Sequence, residues 1–452
     1  MRQDFRYSKD VPKGQSYFSA SFSHRLVDQG ATSKKAIAYE TTALSKEESQ
    51  MRVHTEGQLL TKYCIYCREA KNADDFSLEH IIPQFLGGTY APDEFKTRDV
   101  CKRCNNDLGL FVDAGFEKDW LVTQKLRDIA CSTFDLESDT GVPLLCMGMS
   151  DLRPPGMLSD EICEAWLGPL GEQVYLVRRG DERLFWYAGG NPRTGKEVKS
   201  RAYFMFCERS GIQPILPWRS FRDAFEGRRT RKVMCTSIDV DPSRIGFSEP
   251  DELDRSRIDF FLNNCTKSQQ RNNRLAFYTK YDVRFMAKLA IGLAYAMFGS
   301  RALKTAYSEE LYKALWHRPD EEVPDIHGES HLSGLRDPIF SRMMGDPNAV
   351  TLAISPTNLG VAINLNIGET MNWTIKCASN ENLEHDELGS MGTGFAIVLY
   401  RQLRRAVRLS MSELIAHKLG NRPHPELSEI NLQLSSYSDY LKDLHKATRT
   451  PL

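Results

Sequence analysis

The chain lacks an excess of either charge. Its 452 residues carry 59 Lys and Arg against 60 Asp and Glu, a formal net charge of −1, so attraction to a polyanion cannot be a property of the whole molecule. The opening Met1 to Tyr7 contains no hydrophobic region, so no apolar leader is expected. The chain lacks a membrane-length apolar run: the most lipid-like stretch, Leu289 to Phe298, is too short to span a bilayer. With Asp282 as N-cap and Gly299 as a stop, that stretch predicts a helix buried nearly all round. No internal repeat or low-complexity tract is present. Of eleven cysteines, Cys131, Cys146, Cys163, Cys207, Cys235, Cys265 and Cys377 have no paired spacing, which excludes a disulfide framework. Together these absences predict a cytoplasmic protein with no membrane partner.

The remaining four cysteines carry the chemical signal. Cys64-Ile-Tyr-Cys67 and Cys101-Lys-Arg-Cys104 are two C-x-x-C pairs 33 residues apart. Each pair presents two thiolates to one metal, and together they complete the tetrahedral four-sulfur shell of a structural Zn²⁺. Such a metal is coordinatively closed. Chemistry must then come from residues held in the same frame, and these are Glu79 and His80 between the pairs and Asn105 directly after the second. Singly, Glu79 reads as a surface carboxylate, His80 as a strand histidine and Asn105 as a helix cap. Their joint placement in one zinc frame points to metal-assisted phosphodiester hydrolysis.

These residues resemble the HNH endonucleases with the ββα-metal fold, and most of all the four-cysteine branch, over residues 56–120. In that branch an Asp or Glu followed by His lies on the first strand, and an Asn or His follows the second cysteine pair at the start of the helix. The resemblance implies His80 as general base, with Glu79 and Asn105 holding a catalytic divalent cation. Mg²⁺ suits those hard oxygen ligands. It also implies DNA as substrate, most readily double-stranded, and a role such as defence against foreign DNA. Two features depart from the pattern. Glu79 stands where many members have Asp, and no middle asparagine is assignable in Phe95 to Val100, where Asp99 reads first as an exposed strand-end carboxylate and otherwise as a substitute for that asparagine's hydrogen bonds. Neighbouring strand residues point to opposite faces, so a local distortion is expected at Glu79-His80, with Pro83 ending the ladder and Gly87-Gly88 turning the chain.

The fold class expected is α+β: a small zinc-stapled module joined to a β-rich middle region and a C-terminal mixed α/β region. The boundaries fall at residues 1–55 for an N-terminal arm, 56–125 for the nuclease module, 126–270 for the middle domain and 271–452 for the rest. The module's helix is expected from near Asn105 towards Trp120, packing through Leu108, Phe111, Val112 and Phe116. Residues 173–177, 183–187, 202–206 and 232–236 read as strands. A long helix is expected from Thr393 to Leu419, approached by the flexible Gly389 to Gly394 run. Because residues 51–120 hold nine Lys and Arg against twelve Asp and Glu, substrate affinity must come from elsewhere. Two clusters are candidates: Arg228, Arg229, Arg231 and Lys232, and Arg401, Arg405 and Arg408 on one face of the expected helix. The larger regions could also pair copies of the chain or bind a protein or small-ligand regulator. The competing readings are a non-catalytic zinc-knuckle nucleic-acid-binding protein and a nuclease subunit active only in a complex.

Overall fold

The computed structural model describes residues 61–447 except 135–140, 181–198, 213, 228, 237–242, 244–245, 266–272, 275–279, 319–320, 323, 332–337 and 384. The expected N-terminal arm lies outside the described residues. Strands β1 (Thr61–Tyr63) and β2 (Ala70–Asn72) pair antiparallel around the first cysteine pair, and β3 (Phe76–His80) pairs with β4 (Lys96–Cys101). Cys101 caps helix α1 (Lys102–Leu108), its Sγ accepting from the Cys104 N–H at 3.4 Å. The helix thus starts ahead of Asn105. A π-helical turn, Gly109–Asp113, interrupts it before α2 (Ala114–Glu117) and α3 (Trp120–Ser132). That wide turn rotates the apolar stripe: Leu108, Val112 and Phe116 are buried, but Phe111 is 54% exposed and does not pack as expected. Helix α3 runs across the boundary expected at residue 125.

The middle region is a six-stranded sheet of β5 (Leu145–Ser150), β6 (Glu161–Leu167), β7 (Gln173–Arg179), β8 (Ser200–Met205), β9 (Thr230–Met234) and β10 (Asn273–Arg274), in the order β10-β5-β6-β7-β8-β9. All neighbours are antiparallel except β8 and β9. A parallel pair needs a crossover, which α4 (Glu208–Ile212) and α5 (Ile215–Ala224) supply. Helix α5 covers one face through Phe221 and Ala224, and α6 (Glu252–Cys265) covers the other through Phe261 and Cys265. The strands expected at 173–177, 202–206 and 232–236 fall on β7, β8 and β9. The one at 183–187 lies outside the described residues.

The C-terminal region begins with α7 (Lys280–Phe298) and α8 (Ala306–Trp316) and continues as β11 (Gly328–Glu329), α9 (Pro338–Met344), β12 (Val350–Thr357), β13 (Gly360–Ile367), β14 (Met371–Ser379), α10 (His385–Ser390), β15 (Phe395–Tyr400), β16 (Arg405–Ser410), α11 (Met411–Lys418) and α12 (Pro425–Ala447). Its sheet is antiparallel throughout, in the order β11-β14-β13-β12-β15-β16. On β13, Val361, Ile363, Leu365 and Ile367 alternate with Ala362, Asn364 and Asn366, so one face is wholly apolar. The helix expected over Thr393 to Leu419 is instead the β15–β16 hairpin followed by α11. Phe395 to Tyr400 is covered on both faces, so it shows no period-two alternation and cannot be told from a helix by pattern. Gly394, at φ 92°, lies so close to β12 that a Cβ would sit 2.1 Å from the Ile354 carbonyl oxygen. The glycine run therefore leads into a strand.

Helix α7 is longer than expected. It starts ahead of Asp282, which sits in the first turn and accepts from Trp373 Nε1 at 2.9 Å. By length and composition Asp282–Leu303 could cross a membrane. Here, however, Phe285, Leu289, Ile291, Leu293 and Ala294 are buried within a protein core. That core is continuous: residues of the zinc module (Ile81, Phe95, Phe116), of α7 and α8, and of β12 to β15 belong to one apolar cluster. Phe116 stacks on Phe285 at 3.9 Å and meets Trp373 edge-on at 5.0 Å.

Candidate functional site

The tight turn after β1 brings Cys64 and Cys67 together, with Arg68 in the left-handed region at φ 59° and its N–H donating to the Cys64 carbonyl at 2.8 Å. The β4–α1 junction supplies Cys101 and Cys104. Ligand atoms of the four all lie within 4.8 Å of one another, and Cys67 and Cys101 Sγ are 4.0 Å apart. A tetrahedral shell with Zn–S near 2.3 Å has edges of about 3.8 Å, so the cluster fits zinc. Four thiols this close cannot all ionise unaided: the hydrogen bond with Cys104 draws Cys64 down to about 4, and the same bond pushes Cys104 far up. A divalent cation removes that conflict. The Cys101 N–H donates to Cys64 Sγ at 3.4 Å, and Lys71 Nζ donates to Cys101 Sγ at 3.4 Å.

The C-terminal region grips the knuckle that carries this cluster. Tyr312 OH donates to the Ile65 carbonyl at 2.7 Å, Trp316 Nε1 to the Tyr66 carbonyl at 3.2 Å, and the Arg68 guanidinium lies 4.2 Å from the Tyr312 ring centre. Asp99 belongs to the same bracing. Far from being an exposed strand-end carboxylate, it accepts from Tyr295 OH at 2.6 Å and pairs with Lys62 at 2.9 Å. Burial raises its pKa, but these partners outweigh burial and hold it below the usual range.

His80 ends β3 on the open side. Its Nδ1 lies 3.5 Å from Gln84 Nε2, and burial and then Lys96 lower its pKa, so the imidazole is neutral at neutral pH and able to accept a proton. Asn105 stands beside β3, its Nδ2 donating to Ser77 Oγ at 3.0 Å and to the Leu78 carbonyl at 2.9 Å. A carbonyl only accepts, so Nδ2 must face Leu78. The Oδ1 atom is then the one available to a cation or water.

The distortion expected in β3 is present as a register shift between Ser77 and Glu79. It does not bring Glu79 to the His80 face. Glu79 is 4% exposed, and its Oε1 lies 2.8 Å from Lys288 Nζ, a contact of ion-pair distance without hydrogen-bond alignment. Lys288, on α7 and 2% exposed, also donates to Asp113 Oδ2 at 2.6 Å. Burial raises the Glu79 carboxyl against the pull of Lys288, while Asp113 and Glu79 overcome burial and hold Lys288 above its ordinary value. Glu79 is therefore a member of a buried ion pair, not the open cation ligand expected, because the strand's alternation turns it towards α7 while His80 faces out.

The basic clusters also divide. Arg228 lies outside the described residues. Arg231 is committed: its Nε donates to Asp254 Oδ2 at 2.7 Å and its NH2 to the Glu249 carbonyl. Lys232 is half-buried, and burial lowers its pKa; only Arg229 of the described members is exposed. Arg401, Arg405 and Arg408 do not share a helix face. Arg405 points to α12, pairing with Glu429 at 2.7 Å, whereas Arg408, on the opposite face of β16, pairs with Glu94 at 3.4 Å. Arg401 NH1 donates to the Phe85 carbonyl at 3.2 Å, which sets the exposed tip of the β15–β16 hairpin against the loop that carries Gln84. At that loop Gly87 adopts φ 99°, and a Cβ on Gly88 would lie 1.6 Å from the Ile82 carbonyl oxygen, so the expected turn requires both glycines. Arg404, exposed at the same tip, belongs to the basic run 401–408 but not to the face expected of it, and Lys288 and Asp113 had no place in the expected site. A lysine inside an apolar helical run was the available signal, since a buried ammonium must find carboxylates.

Residues 64–121 match the family model described as HNH endonuclease. No curated protein and no solved structure matches the chain.

Proposed function

With an HNH endonuclease segment as premise, we propose that the protein hydrolyses phosphodiester bonds of double-stranded DNA at the surface formed by His80 and Asn105. The observation that carries the reading is their placement: a neutral imidazole on β3 and a carboxamide on α1, locked to the same strand by two hydrogen bonds, inside a frame closed by four sulfurs. His80 takes the proton from the attacking water. Asn105 offers Oδ1 to a divalent cation, for which Mg²⁺ is the natural choice, and such a cation supplies Lewis-acid neutralisation of charge on the phosphoryl and leaving oxygens. Gln84 lies beside Nδ1, and with its amide turned so that Oε1 accepts from Nδ1–H it orients the imidazole and leaves Nε2 free to take that proton. Lys102 and Arg103, exposed on the first turn of α1, and Arg401, Arg404 and Arg408 on the hairpin supply the phosphate contacts that the net negative zinc segment lacks.

The test is incubation of purified full-length protein with supercoiled plasmid and with single-stranded RNA, in Mg²⁺ or EDTA. Nicking of plasmid in Mg²⁺ alone is expected. Cleavage of neither polymer, or cleavage indifferent to EDTA and to His80→Ala, refutes the proposal. A second reading is favoured by one observation, the enclosure of Glu79 with Lys288: the frame then binds nucleic acid without cutting it. Plasmid retained in a gel-shift assay but never nicked is its signature.

A further inference from the structure

We propose that one face of α7, outside the segment that matches the family, positions His80. The helix meets both chain neighbours of that histidine. Lys288 Nζ lies 2.8 Å from Glu79 Oε1. One turn further on, Gly292 lies against Ile81, so closely that a Cβ there would sit 2.7 Å from Ile81 Cγ2 and 3.0 Å from the Tyr66 hydroxyl. Residues four apart on a helix share a face and are about 6 Å apart along the axis. Residues two apart on a strand also share a face and are about 6.6 Å apart. The two spacings match, so 288 and 292 on the helix register Glu79 on the strand and Ile81, which directly follows its last residue and still donates its N–H to the Phe95 carbonyl at 3.0 Å. Glu79 and Ile81 are held inward, and His80 between them is forced outward. Lys288 fastens the same helix to Asp113 at the end of the π-helical turn, which ties strand and α1 to one buried ammonium. The absence of a side chain at 292 is what permits this approach.

Lys288 and Gly292 are thus positioning residues: they touch no substrate and act through the strand. The inference rests on the reading of His80 as the base, but the placement of the ring can be measured without cleavage. The variant is Gly292→Ala in the full chain, read by plasmid nicking kinetics, zinc content and the ring ¹³C–¹H signal of His80 in ¹³C-histidine-labelled protein, assigned through His80→Gln. The expected result is a displaced His80 signal and a kcat at least tenfold lower, with KM and zinc within twofold of wild type. Gly292→Ala combined with Ile81→Ala moves the bulk from strand to helix, and is expected to recover part of the lost kcat. Lys288→Gln, which adds no bulk, is the second variant and is read in the same way. Val233→Ala, in the core of the middle sheet, is the control: it lowers the melting temperature but leaves kcat and the His80 signal in place. An unmoved His80 signal and unchanged kcat in Gly292→Ala and Lys288→Gln overturn the proposal. If the wild-type protein cuts nothing, the nuclease reading falls, and the His80 signal alone decides this one: displaced, it stands; unmoved, it is overturned.

Discussion

Arg231→Ala separates a structural cation from a DNA-binding one. The guanidinium is held between Asp254 and the Glu249 carbonyl, and Asp254, 0% exposed, also accepts from Arg201 and from Tyr203 OH at 2.9 Å. Burial raises the Asp254 carboxyl, but hydrogen bonds from Arg231 and Arg201 outweigh it and bring it to about 2. Losing one charge-assisted hydrogen bond from a buried carboxylate that keeps its other partners costs about 2 kcal/mol. For a cooperative unit of ordinary size that is a fall in melting temperature of about 4–8 °C. The sign with pH follows from the depressed pKa: the contribution of Asp254 is complete above the unfolded carboxylate value and fades as pH falls through about 2, so the deficit of the variant is full at neutral pH. The paired assay is the slope of log affinity for duplex DNA against log salt. Each phosphate that is no longer neutralised changes that slope by about 0.9, and removing a guanidinium already committed within the fold changes it by nothing. Arg401→Ala and Arg404→Ala, at the exposed hairpin tip, are expected to flatten the slope without lowering the melting temperature. A flattened slope and an unmoved melting temperature for Arg231→Ala would refute the assignment.

Two further outcomes are expected. Cys64→Ser or Cys104→Ser releases the metal and unfolds the knuckle, since metal affinity and local folding are one free energy there; elemental analysis should find close to one zinc per wild-type chain and far less in the variants. His80→Ala abolishes nicking while zinc content and DNA affinity stay near wild type, and the wild-type rate should rise with pH and level off with an inflection below about 6.5, because burial and Lys96 lower the pKa of the base. An inflection well above that value would assign the base elsewhere.

The site was legible wherever chemistry depends on local spacing. Two C-x-x-C pairs place four sulfurs by backbone geometry alone, and a Glu-His pair ahead of Asn105 marks the strand and helix that carry them. The α+β class, the strands around Tyr175, Tyr203 and Val233, and the buried character of α7 were also visible, because hydrophobic pattern is a local property. Spacing could not tell which way Glu79 points, since that depends on a lysine 209 residues later in the chain.

By itself, then, the sequence determined the zinc frame and the residue types at its mouth. Their surroundings were decided only by tertiary structure. The apolar face of α7 fills the space between the four-cysteine segment and the C-terminal sheet, so those two share one core, while the middle sheet keeps clusters of its own. The same packing makes Lys288 the buried partner of Glu79. It also turns Arg401 and Arg408 towards the segment around Phe85 and Glu94, while Arg405 pairs with the exposed Glu429 and Arg231 is spent on the buried Asp254. A basic residue reads alike in sequence whether it faces solvent or a buried carboxylate, because the difference lies in which distant chain segment the fold sets against it.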